Sequence, residues 1–147
     1  MEATDLSEVL AIERNAQPSP WGRVSFEESL VREHVCRVAV LQDDFNKQTI
    51  LAYHVVCVIA DELHILNLVV ASAYQGQGIA HFLMQDIVEE AQSADAVRHI
   101  ILEVRASNKI AQRLYQQWQF EQISLRKNYY RTQTSQREDA LILARKS

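Results

Sequence analysis

Glycine is scarce in this chain of 147 residues; there are three, with two prolines and two cysteines. So little glycine and proline excludes collagen-like and low-complexity disordered chains. Cys36 and Cys57 sit in apolar, strand-like runs. They are expected to be reduced core residues of a cytoplasmic protein rather than a disulfide framework. Histidines at 34, 54, 64, 81 and 99 are scattered, so no metal-ligand spacing appears and no metal is expected. No apolar stretch reaches the roughly 18 residues a membrane helix needs. The N-terminus Met-Glu-Ala-Thr-Asp lacks the basic and apolar regions of a signal peptide. Net charge is −4, with 15 Lys and Arg dispersed among 19 Asp and Glu, so no basic face for nucleic acid is expected. What is present is a balanced composition, 48% hydrophobic and 23% charged. Residues 1–147 are expected to form a single domain with a core of its own.

Hydrophobic periodicity divides the chain into elements. Thr4 or Asp5 is expected to cap a helix through about Arg14, with Leu6, Val9 and Leu10 as its apolar stripe. Gln17-Pro18-Ser19-Pro20-Trp21-Gly22 is a loop. Ser25-Phe26-Glu27-Glu28 reads as a capping box opening a second helix. Strands follow at Cys36–Leu41, Thr49–Ala60 and Glu62–Val70, with a turn over Gln42–Gln48. A helix from about Gly78 to Ser93, a strand Arg98–Arg105 and a helix capped by Ser107 or Asn108 come next. That last helix should bury Ile110, Ala111, Leu114, Tyr115 and Trp118 together. Two closing strands, Gln119–Leu125 and Ala140–Ala144, flank a polar segment, Arg131–Arg137, expected to be mobile. The order predicts a mixed α/β sheet with helices on both faces.

The junction Val69-Val70-Ala71-Ser72-Ala73-Tyr74-Gln75-Gly76-Gln77-Gly78-Ile79-Ala80 is the most informative segment. An apolar strand stops, a turn follows with two of the three glycines, and a helix begins with Ile79, Leu83 and Ile87 in register. Glycine lets main-chain N–H groups converge, and the helix N-terminus adds its positive end, so such a loop can hold a pyrophosphate. It is neither a Gly-x-x-x-x-Gly-Lys-[Ser/Thr] nucleotide loop nor a Gly-x-Gly-x-x-Gly dinucleotide loop. On these residues alone, an ordinary strand–helix turn remains the alternative.

The pattern Gln-x-x-Gly-x-Ala over Gln75–Ala80 resembles the acyl-CoA pyrophosphate loop of the GNAT acetyltransferases. Leu102-Glu103-Val104-Arg105-Ala106-Ser107-Asn108 narrows the likeness, together with Leu114-Tyr115, Arg126-Lys127-Asn128-Tyr129-Tyr130 and Arg137-Glu138-Asp139. Over nearly the whole chain, these strings resemble the RimI-type ribosomal-protein alanine N-acetyltransferases of that family. The resemblance implies a GNAT fold (α/β, with a mixed, mostly antiparallel sheet) and a transferase in the cytoplasm. It would move acetyl from acetyl-CoA by direct attack to the α-amine of an N-terminal alanine of a small-subunit ribosomal protein. By position it implies Glu103 as general base and Tyr115 as general acid. Val69, Val70 and Ala71 would hold the acetyl and pantetheine end. Gln75, Gly76, Gln77, Gly78, Ile79 and Ala80 would hold the pyrophosphate, with Asn108 as a further coenzyme contact. The chain departs from the family at Arg131, often Pro, at Ala80, often Gly, and at Gly76, often Arg.

Residue chemistry suits this expectation. An α-amine titrates near 8, against about 10.4 for lysine, so a mild base suffices. Partial burial beside Ile101 would raise the Glu103 carboxyl towards a useful range. The plainer alternative for Glu103 is a solvated strand residue or a partner for Arg105. For Tyr115 it is a core aromatic, and for Asn108 a purely structural helix cap. A backbone N–H near Val70 suits an oxyanion. Trp21, Tyr129, Tyr130 and Glu138 are the candidates for the acceptor groove. Glu33, Asp43 and Asp44 are expected to be merely solvated charges. Two other functions share the same loop: an acetyltransferase for lysine or small amines, and a non-catalytic acetyl-CoA-binding module.

Overall fold

The computed structural model describes residues 1–32, 34–131 and 137–147. Glu33 and most of the polar segment expected to be mobile, residues 132–136, lie outside the described residues. The described elements are α1 (Leu6–Ala16), α2 (Arg23–Val31), β1 (Val35–Gln42), β2 (Gln48–Ile59), β3 (Glu62–Val70), α3 (Ile79–Ser93), β4 (His99–Arg105), α4 (Lys109–Gln117), β5 (Glu121–Arg131) and β6 (Arg137–Lys146). The strand order is β1-β2-β3-β4-β6-β5. The pairs β1–β2, β4–β6 and β5–β6 are antiparallel, and β3–β4 is parallel, with Glu62–Ile65 beside His99–Leu102. The last strand in sequence therefore inserts beside β4 and leaves β5 outermost, an order that periodicity does not encode. By internal contacts the chain divides into two compact units, residues 1–57 with 67–83, and residues 58–66 with 84–147.

In the first unit, α1 turns Leu6, Val9, Leu10 and Ile12 onto Ile50, Tyr53, Val55 and Val69. That buries one face of an 11-residue helix, the term that stabilises short helices most. It starts at Leu6, directly after Asp5, where the sequence puts it, although the Asp5 side chain makes no cap bond to it. A 3-10 turn over Ala3–Asp5 precedes it, and the Glu2 N–H donates to Asp5 Oδ2 at 2.7 Å. The second helix begins earlier than its Ser-x-x-Glu string suggests. Extended Gly22 is the N-cap, and Ser25 lies within the helix, its carbonyl accepting from Ser29 Oγ at 2.9 Å.

In the second unit, β4 alternates as its sequence demands. Ile100, Leu102 and Val104 are 0–5% exposed, while Ile101, Glu103 and Arg105 take the other, half-buried face. Residue α4 Tyr115 joins the buried set with Phe120. Ile110, expected on the same buried face, is 83% exposed. It stands in the first turn, where Asn108 rather than Ser107 caps the helix through Oδ1 to the Ala111 N–H at 3.1 Å.

Candidate active site

The glycine loop belongs to the first unit. After β3 the Ala71 N–H donates to Leu51 O at 2.8 Å, and Ser72–Tyr74 forms one 3-10 turn. Gly76 and Gly78 have φ of +75° and +84°. A Cβ at either would meet nothing within 4 Å, so conformation, not crowding, requires glycine there. Gly78 accepts from the His81 N–H at 3.0 Å, closing the first turn of α3. Gln75 donates Nε2 to Val70 O at 3.1 Å, tying the loop back to the strand end. Residues 75–78 are exposed, and Ile79 and Ala80 are half-buried. Trp21 lies in the same unit. Its ring packs at 5.3 Å against Phe26, so it is a half-buried wall rather than a free aromatic.

The carboxylate and the phenol belong to the second unit, with a chain of contacts around them. Glu103 stands on β4 opposite Ile142 of β6. Its side chain is 28% exposed, and its Oε1 lies 2.6 Å from Arg126 Nη1. Arg126 reaches over the Tyr129 ring at 5.3 Å, and Tyr129 meets Tyr130 edge-on at 5.1 Å. The Arg105 guanidinium lies 4.2 Å above the Tyr130 ring. Burial, and then the nearby Glu103 charge, push the Tyr130 phenol up. Tyr115 is 7% exposed with its ring 5.7 Å from Phe120. Burial, with Tyr130 adding to it, pushes its phenol up to about 12. Such a phenol keeps its proton at neutral pH and is suited to give one away in a reaction, not to attack.

The tyrosine pair is aimed by a bulge. The β5–β6 register shifts between Arg126 and Tyr130, and Asn128 sits at φ +55°. Asp139 Oδ1 accepts the Asn128 N–H at 2.9 Å, and Arg137 Nη1 donates to Asn128 O at 3.2 Å. The Arg137-Glu138-Asp139 string thus holds the bulge from β6. Glu138 has its own inward partners: Arg105 Nη1 at 2.5 Å and the Ser107 N–H at 3.3 Å. A hydrogen bond from the Ser107 side chain, then Arg105, holds its carboxyl below the usual range.

Sequence spacing offers Arg105 as a partner for Glu103; the structure gives Arg105 to Glu138 and Arg126 to Glu103. Arg126 was the missed neighbour, and its only signal was its place before Asn128-Tyr129-Tyr130. Asn108 spends its side-chain carbonyl on the cap, which leaves its NH₂ outside that bond. A surface depression of about 540 Å³ bordered by His99, Glu121 and Arg145 includes none of these candidates. Among the described residues no cluster of His, Cys, Asp and Glu is arranged for a metal ion, and no helix is long and apolar enough to cross a membrane. Both cysteines are free; Cys57 is buried, Cys36 half-buried, and burial pushes both thiols up.

The Arg105–Glu138 pair yields one expected outcome. Its side chains are 11% and 18% exposed, so Glu138→Gln removes the charge from a largely buried ion pair. The cost should lie between exposed and fully buried pairs, about 2 kcal/mol. Thermal melts at pH 7 should show Tm lower by roughly 4–8 °C. Because the folded carboxyl titrates below its unfolded value, its stabilisation is present above the unfolded pKa and fades as pH falls through the folded one. The gap between wild type and variant should therefore narrow at pH 3; a constant gap would contradict the charge argument.

Comparison with known proteins places the chain in a family. Residues 6–120 match the acetyltransferase (GNAT) family. The chain is 34% identical over 144 residues to the [ribosomal protein bS18]-alanine N-acetyltransferase of Escherichia coli strain K12, covering 98% of this chain and 93% of that one. It is 34% identical over 140 residues to the Haemophilus ducreyi protein of the same name, covering 95% and 92%. The crystal structure of the ribosomal-protein-S18-alanine N-acetyltransferase from Escherichia coli superposes with a TM-score of 0.86 at 32% identity, covering 99% of this chain and 90% of that one.

Proposed function

The chain belongs to the acetyltransferase (GNAT) family, and from that premise we propose that it is a single-domain, acetyl-CoA-dependent N-terminal acetyltransferase. Its acceptor is the α-amine of an N-terminal alanine on a small-subunit ribosomal protein, met in the cytoplasm. The observation that carries the reading is the 34% identity, over nearly the full length, to proteins of that named activity, joined to a partly exposed carboxylate and a proton-retaining phenol that both act electrostatically on, or are acted on by, Tyr130.

The step is direct attack. The neutral α-amine adds to the thioester carbonyl, Glu103 takes the ammonium proton directly or through one water, and the C–S bond breaks. Tyr115 gives the departing thiolate its proton, so the products are an N-acetyl amide and a free thiol. Val69, Val70 and Ala71 line the acyl end, with a Val70 N–H for the oxyanion. Gln75, Gly76, Gln77, Gly78, Ile79 and Ala80 hold the pyrophosphate from the strand–helix turn, and the Asn108 amide adds a donor. Trp21 in the first unit and Tyr129 and Tyr130 in the second are the acceptor-binding residues, and Glu138 holds Arg105, whose guanidinium lies over the Tyr130 ring. No metal takes part in these steps.

The test uses purified protein, acetyl-CoA and three peptides starting with alanine. One has a free N-terminus, one an N-terminus blocked by formylation, and one a blocked N-terminus with an internal lysine. Mass spectrometry should find acetyl only on the first. Acetyl only on the lysine would move the function to side-chain amines. Coenzyme binding with no transfer to any peptide would leave a binding module.

A further inference from the structure

One buried ionisable group has no part in the proposed chemistry. Glu13, on α1, is 1% exposed. Three donors converge on its carboxylate. The Trp21 N–H reaches Oε1 at 2.7 Å, Asn67 Nδ2 reaches the same oxygen at 3.3 Å, and the Tyr53 hydroxyl donates to Oε2. The Tyr53 phenol is pushed well up by burial, with Glu13 adding to it.

A carboxylate in an apolar core is costly unless every oxygen is bonded. A glutamine would fill the same space at less cost, so the charge needs a reason. A carboxylate offers two oxygens that only accept, each in a charge-assisted bond about twice as strong as a neutral one. A glutamine offers one accepting oxygen, and its NH₂ would force the Tyr53 hydroxyl to give up its donated, charge-assisted bond. Two of the converging groups are N–H donors and the Tyr53 hydroxyl turns its proton to Oε2, so as placed they fit the carboxylate.

The single main-chain donor among them belongs to Trp21. The same residue is held from its other side. Its ring packs on Phe26 at 5.3 Å, and Phe26 meets Tyr53 edge-on at 5.6 Å, with Phe26 and Tyr53 both fully buried. Glu13, Trp21, Phe26 and Tyr53 therefore close a ring of contacts, polar on one side and aromatic on the other. It fixes one residue of a loop whose Pro18 and Pro20 cannot join helix or sheet bonding through their own nitrogens.

We propose that Glu13 is a positioning residue for acceptor recognition, holding the Trp21 loop in its binding shape before the acceptor arrives. It rests on the reading of Trp21 as an acceptor-binding residue. A preformed loop spares the acceptor the cost of ordering it. Loosening the loop should weaken acceptor binding and leave the coenzyme and the chemical step alone.

The experiment measures kcat and both KM values, with an alanine-starting peptide and acetyl-CoA, for full-length Glu13→Gln, Tyr53→Phe, Trp21→Ala and the Glu13→Gln/Trp21→Ala double variant. Losing a bond to a charged group predicts an acceptor KM raised about tenfold or more in Glu13→Gln, with kcat and acetyl-CoA KM within about threefold. Tyr53→Phe should move acceptor KM the same way by about threefold. The double variant should be no worse than Trp21→Ala alone, since both changes act through one loop. An unchanged acceptor KM in Glu13→Gln beside a raised one in Trp21→Ala overturns the positioning role and leaves the groove intact. An unchanged acceptor KM in Trp21→Ala removes the groove and the positioning role with it, while transfer to the α-amine still stands. Equal losses in kcat and both KM values mark a merely structural residue and overturn the proposal. If Glu13→Gln does not fold, Tyr53→Phe decides alone. Amide exchange supplies a reading that needs no acceptor. The Trp21 N–H should exchange at least about tenfold more slowly in wild type than in Tyr53→Phe, and equal rates would overturn the clamp.

Discussion

Glu103→Gln should cut kcat by roughly two to four orders of magnitude, the usual weight of a general base, while acetyl-CoA affinity stays within about twofold. The substitution keeps the shape of the side chain on β4 and removes its ability to accept a proton from the incoming amine. It also removes the ion pair with Arg126, whose side chain is 50% exposed and stays hydrated. The loss of that pair should therefore cost stability no more than about 1 kcal/mol. Rate and fold are thus separable: turnover collapses, the melting curve barely moves, and the coenzyme titration is superimposable. Turnover within about threefold of wild type would remove Glu103 from the reaction and leave it as the solvated strand residue that its neighbours in sequence also allow.

The placement of several candidate residues was legible because they lie on regular elements. The period of two along Ile100–Arg105 places Glu103 on the half-buried face without any tertiary knowledge, and the strand confirms it residue by residue. The glycine turn was legible because only glycine takes positive φ without strain, and Gly76 and Gly78 both do. Pairing of charges was not legible. Arg105 is two residues from Glu103, which suggests a partnership, yet its actual anion is 33 residues away on β6. That choice depends on β6 inserting between β4 and β5, and no local pattern states it. The bulge at Asn128 was hidden for the same reason. Asn tolerates the left-handed region, but what fixes it there is Asp139 on the neighbouring strand. Ile110 misled in the other direction. A period of 3.6 counts it as apolar face, but the first turn of a helix capped by Asn108 stands out in solvent. Glu13 was invisible in sequence because a glutamate on a short helix reads as surface until tertiary packing encloses it.

Tyr115→Phe should lower kcat by roughly two orders of magnitude, and its effect on stability should depend on pH in a defined sense. The ring packs on Phe120 at 5.7 Å, so phenylalanine keeps the packing and loses only the proton donor. In the folded chain burial, aided by Tyr130, pushes the phenol up to about 12 from an ordinary 10. A folded value above the unfolded one means the neutral phenol's contribution is intact below pH 10 and is lost as pH rises from 10 towards 12, because only the unfolded chain ionises in that window. At pH 11 the loss should be about 1 kcal/mol. The variant has no phenol to ionise at this position, and the other tyrosines are common to both proteins. Urea unfolding at pH 8 and pH 11 should therefore show Tyr115→Phe gaining about 1 kcal/mol on wild type between the two. Across the same range wild-type kcat should show no fall from ionisation of this donor below pH 10. A kcat unchanged by the substitution would return Tyr115 to the core. A falling limb near pH 10 that vanishes in the phenylalanine variant would mean that the phenol is open to water.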